Sequence, residues 1–312
     1  MASRRGRALD GVLLLDKPEG LSSNHALQRA RRILDARKAG HTGTLDPFAT
    51  GLMVLCFGEA TKFSGGMFDA DKSYAATLAL GEETDSGDRT GVPVGFPGQD
   101  PEAAVDEARM LDVLSRFVGR ISQVPPMYSA LKRDGKPLYE YARAGVELER
   151  EPRQVTIHGL RLLSLSGRSA TIDVACSKGT YVRTLAQDVG RALGCGAHLT
   201  ALRRTRTAGF DLAQAWTLER LEALADPAGA LLPMESLLAD LPVVRLDADA
   251  AQRFMQGRKE RMAAGDATGT AAAETDAGKV RVAGPDGGFL GTARCEDGWL
   301  QPDRLISFKE TT

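Results

Sequence analysis

Apolar and polar positions change period several times along the chain, and each change marks an element. Val12–Leu15 is a short apolar run closed by the turn DKPEG at 16–20, and it reads as a strand. Leu27, Ala30, Ile33 and Leu34 then recur at helical spacing, with Arg29, Arg31 and Arg32 between them. Ser22 or Ser23 can cap that helix, which is predicted to continue to Gly40. Leu52–Phe57 is apolar throughout and bounded by Gly51 and Gly58, the mark of a buried strand, and GEATKFS after it starts a helix. Tyr74, Ala76, Leu78 and Leu80 alternate as in a strand over 73–80, TDSGDRTG is a polar turn, and Val105–Val118 returns to helical spacing.

The second half repeats the mixture. VPPMYSALKRDGKPLYEYARAG, 124–145, combines prolines, aromatics and cations, and from Pro137 it reads as a short helix with proline in its first turn. Val155–Leu165 and Ala170–Cys176 are two strands joined through SGRS as a hairpin, and Thr180–Leu193 is a helix with Thr180 as its cap. A boundary falls near Asp240–Pro242. Beyond it VVRL, KVRVAG, GFLGTARC and LISF are short strand-like pieces of a small β-barrel-like unit, interrupted at 263–278 by a low-complexity stretch expected to be a mobile loop. Strands and helices interleave without a regular βαβ repeat, and no GxGxxG follows a strand. The fold class is therefore α+β rather than a doubly wound nucleotide-binding fold.

With 312 residues, 43% hydrophobic and 26% charged, the chain can bury a sizeable core and has room for two domains. Forty basic residues against forty-one acidic say nothing about a polyanionic partner, but their distribution does. Residues 1–38 carry nine Lys or Arg against four acids, whereas 82–112 carry nine acids and two Arg, so a basic face can form on a neutral protein. Residues 1–9 read as a frayed basic arm. The four cysteines show neither CxxC nor zinc-ligand spacing, and no apolar leader or run of eighteen apolar residues occurs. Those features predict free thiols in a cytoplasmic protein without a metal site or membrane span.

The densest chemistry lies in AGHTGTLDPFATG, 39–51. Gly40, Gly43 and Gly51 permit unusual backbone angles, while Pro47 fixes its own φ and biases Asp46 towards an extended conformation. A carboxylate on so stiff a loop can act as nucleophile or general base; the alternative is a capping turn in which Asp46 only bonds nearby amides.

This loop, with GVLLLDKPEGLSSN at 11–24, GEATK at 58–62, CSKGTYVRTL at 176–185 and the stretches PPMYSALKRDGKPLYEYARAG and GCGAHLTALRR, resembles the tRNA pseudouridine synthase B family over roughly residues 10–210. The resemblance implies a pseudouridine synthase fold with a mixed, mainly antiparallel sheet over 10–240. It also implies an RNA-contacting insertion at 124–153 and, on the weaker match of Gly257, KVRV and GTARCEDGWLQPDRLI, a PUA-type RNA-binding domain over 241–312. The implied activity is isomerisation of uridine 55 in the TΨC loop of tRNA after the base is flipped out, with the tRNA T-arm as partner, a monomeric enzyme and no cofactor. A tRNA-folding chaperone without chemistry is the competing reading.

By the same resemblance Asp46 is the catalytic nucleophile or base, and Arg183 in GTYVRTL is its guanidinium partner. Tyr74 lies against the base as a stacking face, a donor or a base, against a plain core role. Tyr181 and Leu202 line the pocket, and His41 fills the space of the flipped nucleotide or serves as a hydrogen-bond partner. Lys17 either supports the Asp46 loop or contacts phosphate as part of the substrate site. Lys132, Arg133, Lys136, Arg143, Arg203, Arg204 and Arg206 are candidates for backbone phosphate contacts.

Overall fold

The structure, a computed structural model, describes residues 6–262, 267–268 and 277–307. The order of elements starts with β1 (Gly11–Lys17), α1 (Ser23–Ile33), β2 (Ala39–His41), β3 (Thr50–Phe57), α2 (Gly65–Asp69) and β4 (Lys72–Leu80). After a small pair, β5 (Glu83–Thr84) with β6 (Pro93–Val94), come α3 (Glu107–Ser115) and β7 (Gly119–Gln123). A tight hairpin, β8 (Lys132–Arg133) with β9 (Lys136–Pro137), leads into α4 (Leu138–Arg143). Next are β10 (Arg153–Ser166), β11 (Ser169–Cys176), α5 (Val182–Ala192), β12 (Ala197–Thr207), β13 (Phe210–Asp211) and α6 (Leu218–Glu222).

These strands build one nine-stranded sheet in the order β1-β3-β12-β4-β11-β10-β7, with β2 on β3 and β13 on β12. All its pairings are antiparallel except β3 with β12, which run parallel through Thr50↔Arg203 and Gly51↔Arg204. The sheet is thus mixed and mainly antiparallel, as the sequence predicts. The apolar runs in β1 and β3 reflect cover on both faces. Leu13, Leu15, Met53 and Leu55 pack towards α1, α5 and α6, while Val12, Leu14, Leu52 and Val54 pack towards Phe63, Met67 and Leu238. In β4 only Tyr74, Ala76, Leu78 and Leu80 are buried, so its alternation is the signature of a half-covered strand.

Several boundaries differ from expectation. α1 begins where predicted, with Ser22 Oγ accepting from His25 N, but stops at Ile33 rather than Gly40, because Asp35 takes φ 47° and sends Ala39–His41 into the sheet. Arg7, expected in a frayed arm, pairs with Ala36 and Arg37, so residues 6–9 are docked on that same connection; residues 1–5 lie outside the described residues. GEATK is a 3-10 turn and α2 starts only at Gly65. α5 is capped at Tyr181 without a side-chain bond, because the Thr180 hydroxyl donates back to Ser177 O. Gly190 is required there: a Cβ would sit 2.1 Å from Ala197 N, where α5 crosses β12.

The last strands, β14 (Val243–Arg245), β15 (Glu260–Arg261), β16 (Ala267–Thr268), β17 (Ala277–Ala283), β18 (Phe289–Glu296) and β19 (Trp299–Leu305), form a curled six-stranded sheet around α7 (Ala248–Met255). Its core holds Val244, Phe254, Val280, Val282, Ala293 and Leu300. The sheet meets the first half through Phe63 edge-on to Phe289 at 5.1 Å and through Lys62 Nζ donating to Leu305 O at 3.1 Å. Most of the low-complexity stretch 263–278 falls outside the described residues.

Candidate active site

Asp46 sits where β2 hands the chain to β3. Its loop is fixed from three sides. Ser23 Oγ donates to Leu45 O at 2.8 Å and accepts from Leu45 N at 2.7 Å, Gly20 N donates to Pro47 O, and Leu45, Phe48 and Ala49 are buried. Lys17, fully buried, donates its ammonium hydrogens to Pro18 O, Leu21 O and Pro47 O at 2.9, 2.7 and 3.3 Å. It therefore supports the loop and reaches no phosphate, which corrects its place among substrate-binding residues. Burial pushes its pKa down to about 8 against the pull of Asp46.

Arg183 reaches Asp46 from the first turn of α5. Nε and Nη2 meet Oδ2 and Oδ1 at 2.9 and 3.4 Å, a two-point contact, and the guanidinium is 4% exposed. Its remaining hydrogens go to Ser86 O at 2.9 Å and Tyr128 O at 2.7 Å, with Asp88 Oδ2 3.7 Å from Nη1. Burial pushes the Asp46 carboxyl above its ordinary value; Arg183 opposes this and Asp88 adds to it. A carboxylate held at two points by a buried guanidinium is oriented, the condition of a nucleophile or base.

The couple opens into a cavity of about 200 Å³ lined by Tyr74, Tyr181, Leu202, Leu45, Ser129 and Thr180. Tyr74, Tyr181 and Leu202 thus come together with Asp46 and Arg183. Burial raises the Tyr74 phenol, with Arg204 acting the other way. His41 is not in the cavity wall: it lies in β2 opposite Leu55, half-buried, with no partner for Nδ1 among the described residues and its pKa lowered by burial and then by Arg204.

Three placements were hidden in the sequence. Asp88 and Ser86 belong to the stretch that reads as a polar turn, where Asp88 Oδ1 accepts from Ser86 Oγ, Thr90 N and Thr90 Oγ1. Two acids and two hydroxyl residues within six positions was the available signal. Arg204 is 3% exposed and bonded to the Asp46 loop, so it is not a phosphate contact. Arg203 and Arg206 are ion-paired with Asp16 at 2.6 Å and Asp211 at 3.3 Å. Lys132, Arg133 and Lys136 are exposed.

The mixed sheet with a curled β-unit behind it has close counterparts among known proteins. Among solved structures, a Cbf5-Nop10-Gar1 complex aligns with TM-score 0.70 at 25% identity over 95% of this chain and 84% of that one. An H/ACA ribonucleoprotein bound to a substrate RNA containing 2'-deoxyuridine aligns with TM-score 0.71 at 22% identity, over 96% of this chain and 86% of that one, and shows the same fold. The profile of the TruB family pseudouridylate synthase N-terminal domain matches residues 31–182. That of the tRNA pseudouridylate synthase B C-terminal domain matches 183–239, and that of pseudouridine synthase II TruB, C-terminal, matches 242–306. Relatives called tRNA pseudouridine synthase B are 69% identical in Bordetella pertussis, over 77% of this chain and 98% of that protein, and 54% identical in Burkholderia mallei, over 96% and 98%. The chain belongs to the TruB family of pseudouridylate synthases.

Proposed function

We propose that this protein isomerises uridine to pseudouridine at position 55 in the TΨC loop of tRNA. The observation that carries the reading is the two-point contact of Arg183 with Asp46 at the mouth of a pocket walled by Tyr74, Tyr181 and Leu202. The reaction breaks N1–C1′, turns the uracil and joins C5 to C1′; the C5 proton leaves, N1 regains one, and no electrons are exchanged with an outside donor. Asp46 supplies the nucleophile or base at the sugar, Arg183 orients it, and the aromatic walls hold the detached base, which must first leave its stack.

Residues 10–240 are the catalytic unit, with 124–153 as an RNA-contacting insertion, and 241–312 form a PUA-type RNA-binding unit. A cleft of about 810 Å³ opens where the two sheets meet, with Lys62, Lys279, Arg294 and Arg304 balanced along its walls by Asp69, Asp240, Glu296 and Asp303. The enzyme acts as a monomer on the tRNA T-arm in the cytoplasm, without a cofactor. Among the described residues no helix is long and apolar enough to cross a membrane.

The test is incubation with an unmodified T-arm hairpin followed by selective chemical labelling of pseudouridine. Asp46→Asn is expected to bind the hairpin normally and to lose about a thousandfold or more in single-turnover rate. A wild-type rate in that variant would overturn the reading.

A further inference from the structure

Gln123 is the last residue of β7 and is 2% exposed. Its carboxamide lies against the backbone of Tyr181 and bonds it twice: Oε1 accepts from Tyr181 N at 3.1 Å, and Nε2 donates to Tyr181 O at 3.3 Å. The contact copies the paired bonds of two neighbouring strands, with a side chain in place of one backbone. Tyr181 O also accepts from Leu185 N at 3.0 Å, the first bond of α5. Both polar groups of the Tyr181 backbone are thereby satisfied at a helix start that has no side-chain cap of its own.

A carboxamide suits this place because it carries a donor and an acceptor side by side without a charge, and here both are used. The grip holds Tyr181 at φ −100° and ψ 107°, and so fixes the direction in which its side chain leaves the backbone. That side chain walls the cavity which Asp46 and Arg183 share, and Arg183 follows two residues later in the same first turn. The chain that leaves β7 at Gln123 runs on to Tyr128, whose carbonyl accepts from Arg183 Nη2 at 2.7 Å, and to Ser129 in the cavity wall. Gln123 also pairs with Arg153 at the other root of the 124–153 segment. The start of α5 and the roots of the outer lip of the cavity therefore meet at one buried amide.

We infer that Gln123 is a positioning residue of the isomerisation, whose carboxamide holds the Tyr181 backbone so that the ring stands against the reacting base. The inference rests on the function proposed above. It assigns Gln123 no contact with substrate.

Gln123→Met removes both bonds at similar length, and Gln123→Glu keeps the shape but, ionised, loses the donor to Tyr181 O. Single-turnover rate constants, reaction amplitudes and hairpin affinity are measured for each, alone and combined with Tyr181→Leu. Gln123→Met is expected to retain hairpin affinity and amplitude while losing about a hundredfold in rate constant, as for a group displaced by about 1 Å. In the Tyr181→Leu background the same change is expected to cost about threefold or less, because no ring is left to misplace. A merely destabilised protein would lose amplitude instead. A rate constant within about twofold of wild type, or an equal loss in both backgrounds, overturns the inference while leaving the function standing. A wild-type protein inactive on the hairpin overturns the function, and this inference with it. Should Gln123→Met not fold, Gln123→Glu is read by the same criteria, with a loss of about tenfold expected. Should Tyr181→Leu be too slow to measure, the Tyr181 resonance in protein labelled with ring-fluorinated tyrosine decides: a change at Gln123 is expected to shift it, and an unchanged resonance overturns the inference.

Discussion

Two segments form opposite lips of the same cavity and are built in opposite ways. The loop around Asp46 is held by buried polar groups, namely Lys17 beneath Pro47, Ser23 clamped on Leu45 and Arg204 behind Thr44. The segment from Val124 to Arg153 contributes Ser129 and Ala130 to the lip, yet most of it lies on the surface. It is organised by a two-residue hairpin and by stacking of Lys136 on Tyr141 and Arg143 on Tyr139, at 4.8 and 5.4 Å. Its side chains and carbonyls reach the body through Tyr128 O on Arg183 and Tyr128 OH on Asp85, while Arg150 bonds Pro125 O within the segment itself. The carboxylate proposed to react has to be in place before the substrate arrives, which internal and fully bonded supports provide. The segment proposed to follow a nucleic-acid backbone calls for exposed charge and adaptable contacts instead.

The comparison is broken most severely at Lys17. Lys17→Met removes the ammonium from Pro18 O, Leu21 O and Pro47 O, of which Pro47 O keeps the Gly20 N–H, and is expected to lower unfolding free energy by about 3 kcal/mol, read from denaturant midpoints. The effect has a signed pH dependence. Folding lowers the Lys17 pKa from 10.5 to about 8, so between those values the unfolded chain holds more protons and the group's contribution to stability grows as pH rises. The wild-type-minus-variant difference should therefore widen from pH 8 upward; a gap that narrows contradicts the buried ammonium.

A smaller change tests the Arg183 cradle. Asp88→Asn removes the second negative charge near Arg183, and the plateau of the single-turnover rate is expected to fall about tenfold. Asp88 also helps to raise the Asp46 carboxyl, so its loss lets Asp46 ionise at lower pH and should move the acidic limb of the pH–rate profile downward. A limb that moves upward refutes the assigned couple. The mildest changes belong to the outer lip. Lys132→Ala and Arg133→Ala should each reduce the salt slope of hairpin binding by about one and leave stability within about 0.5 kcal/mol. A large loss of stability would show that this lip is built like the inner one.

What was legible in the chain follows the same division. Alternation exposed β4 because one of its faces is wet, and the apolar run at 52–57 exposed β3 because neither is. The Asp46 loop was legible because glycine and proline constrain the backbone locally, and Arg183 and Tyr74 were reached through family resemblance rather than through their own spacing. Asp88 and Arg204 were not legible in their roles: their partners lie 95 and 152–161 positions away, and a charged residue in a polar turn or an arginine-rich strand reads as solvated until the sheet closes over it. α1 was overextended because its apolar period continues past the point where Asp35 adopts a left-handed angle. The Asp134-Gly135 hairpin, with φ 52° and 78°, carried a usable dipeptide signal that the surrounding aromatics and cations obscured.

The place of β12 between β3 and β4 has a consequence for how the protein is made. The first eighty residues emerge from the ribosome with two strands that belong on either side of a third, which is synthesised only at 197–207. Until then the facing edges of β3 and β4 stay unpaired, and closure requires a long-range insertion that is slow by its topology and exposed to misassociation. The aspartate loop and the Arg204 guanidinium that bonds its carbonyls therefore mature together, at the moment the nascent chain delivers its last central strand.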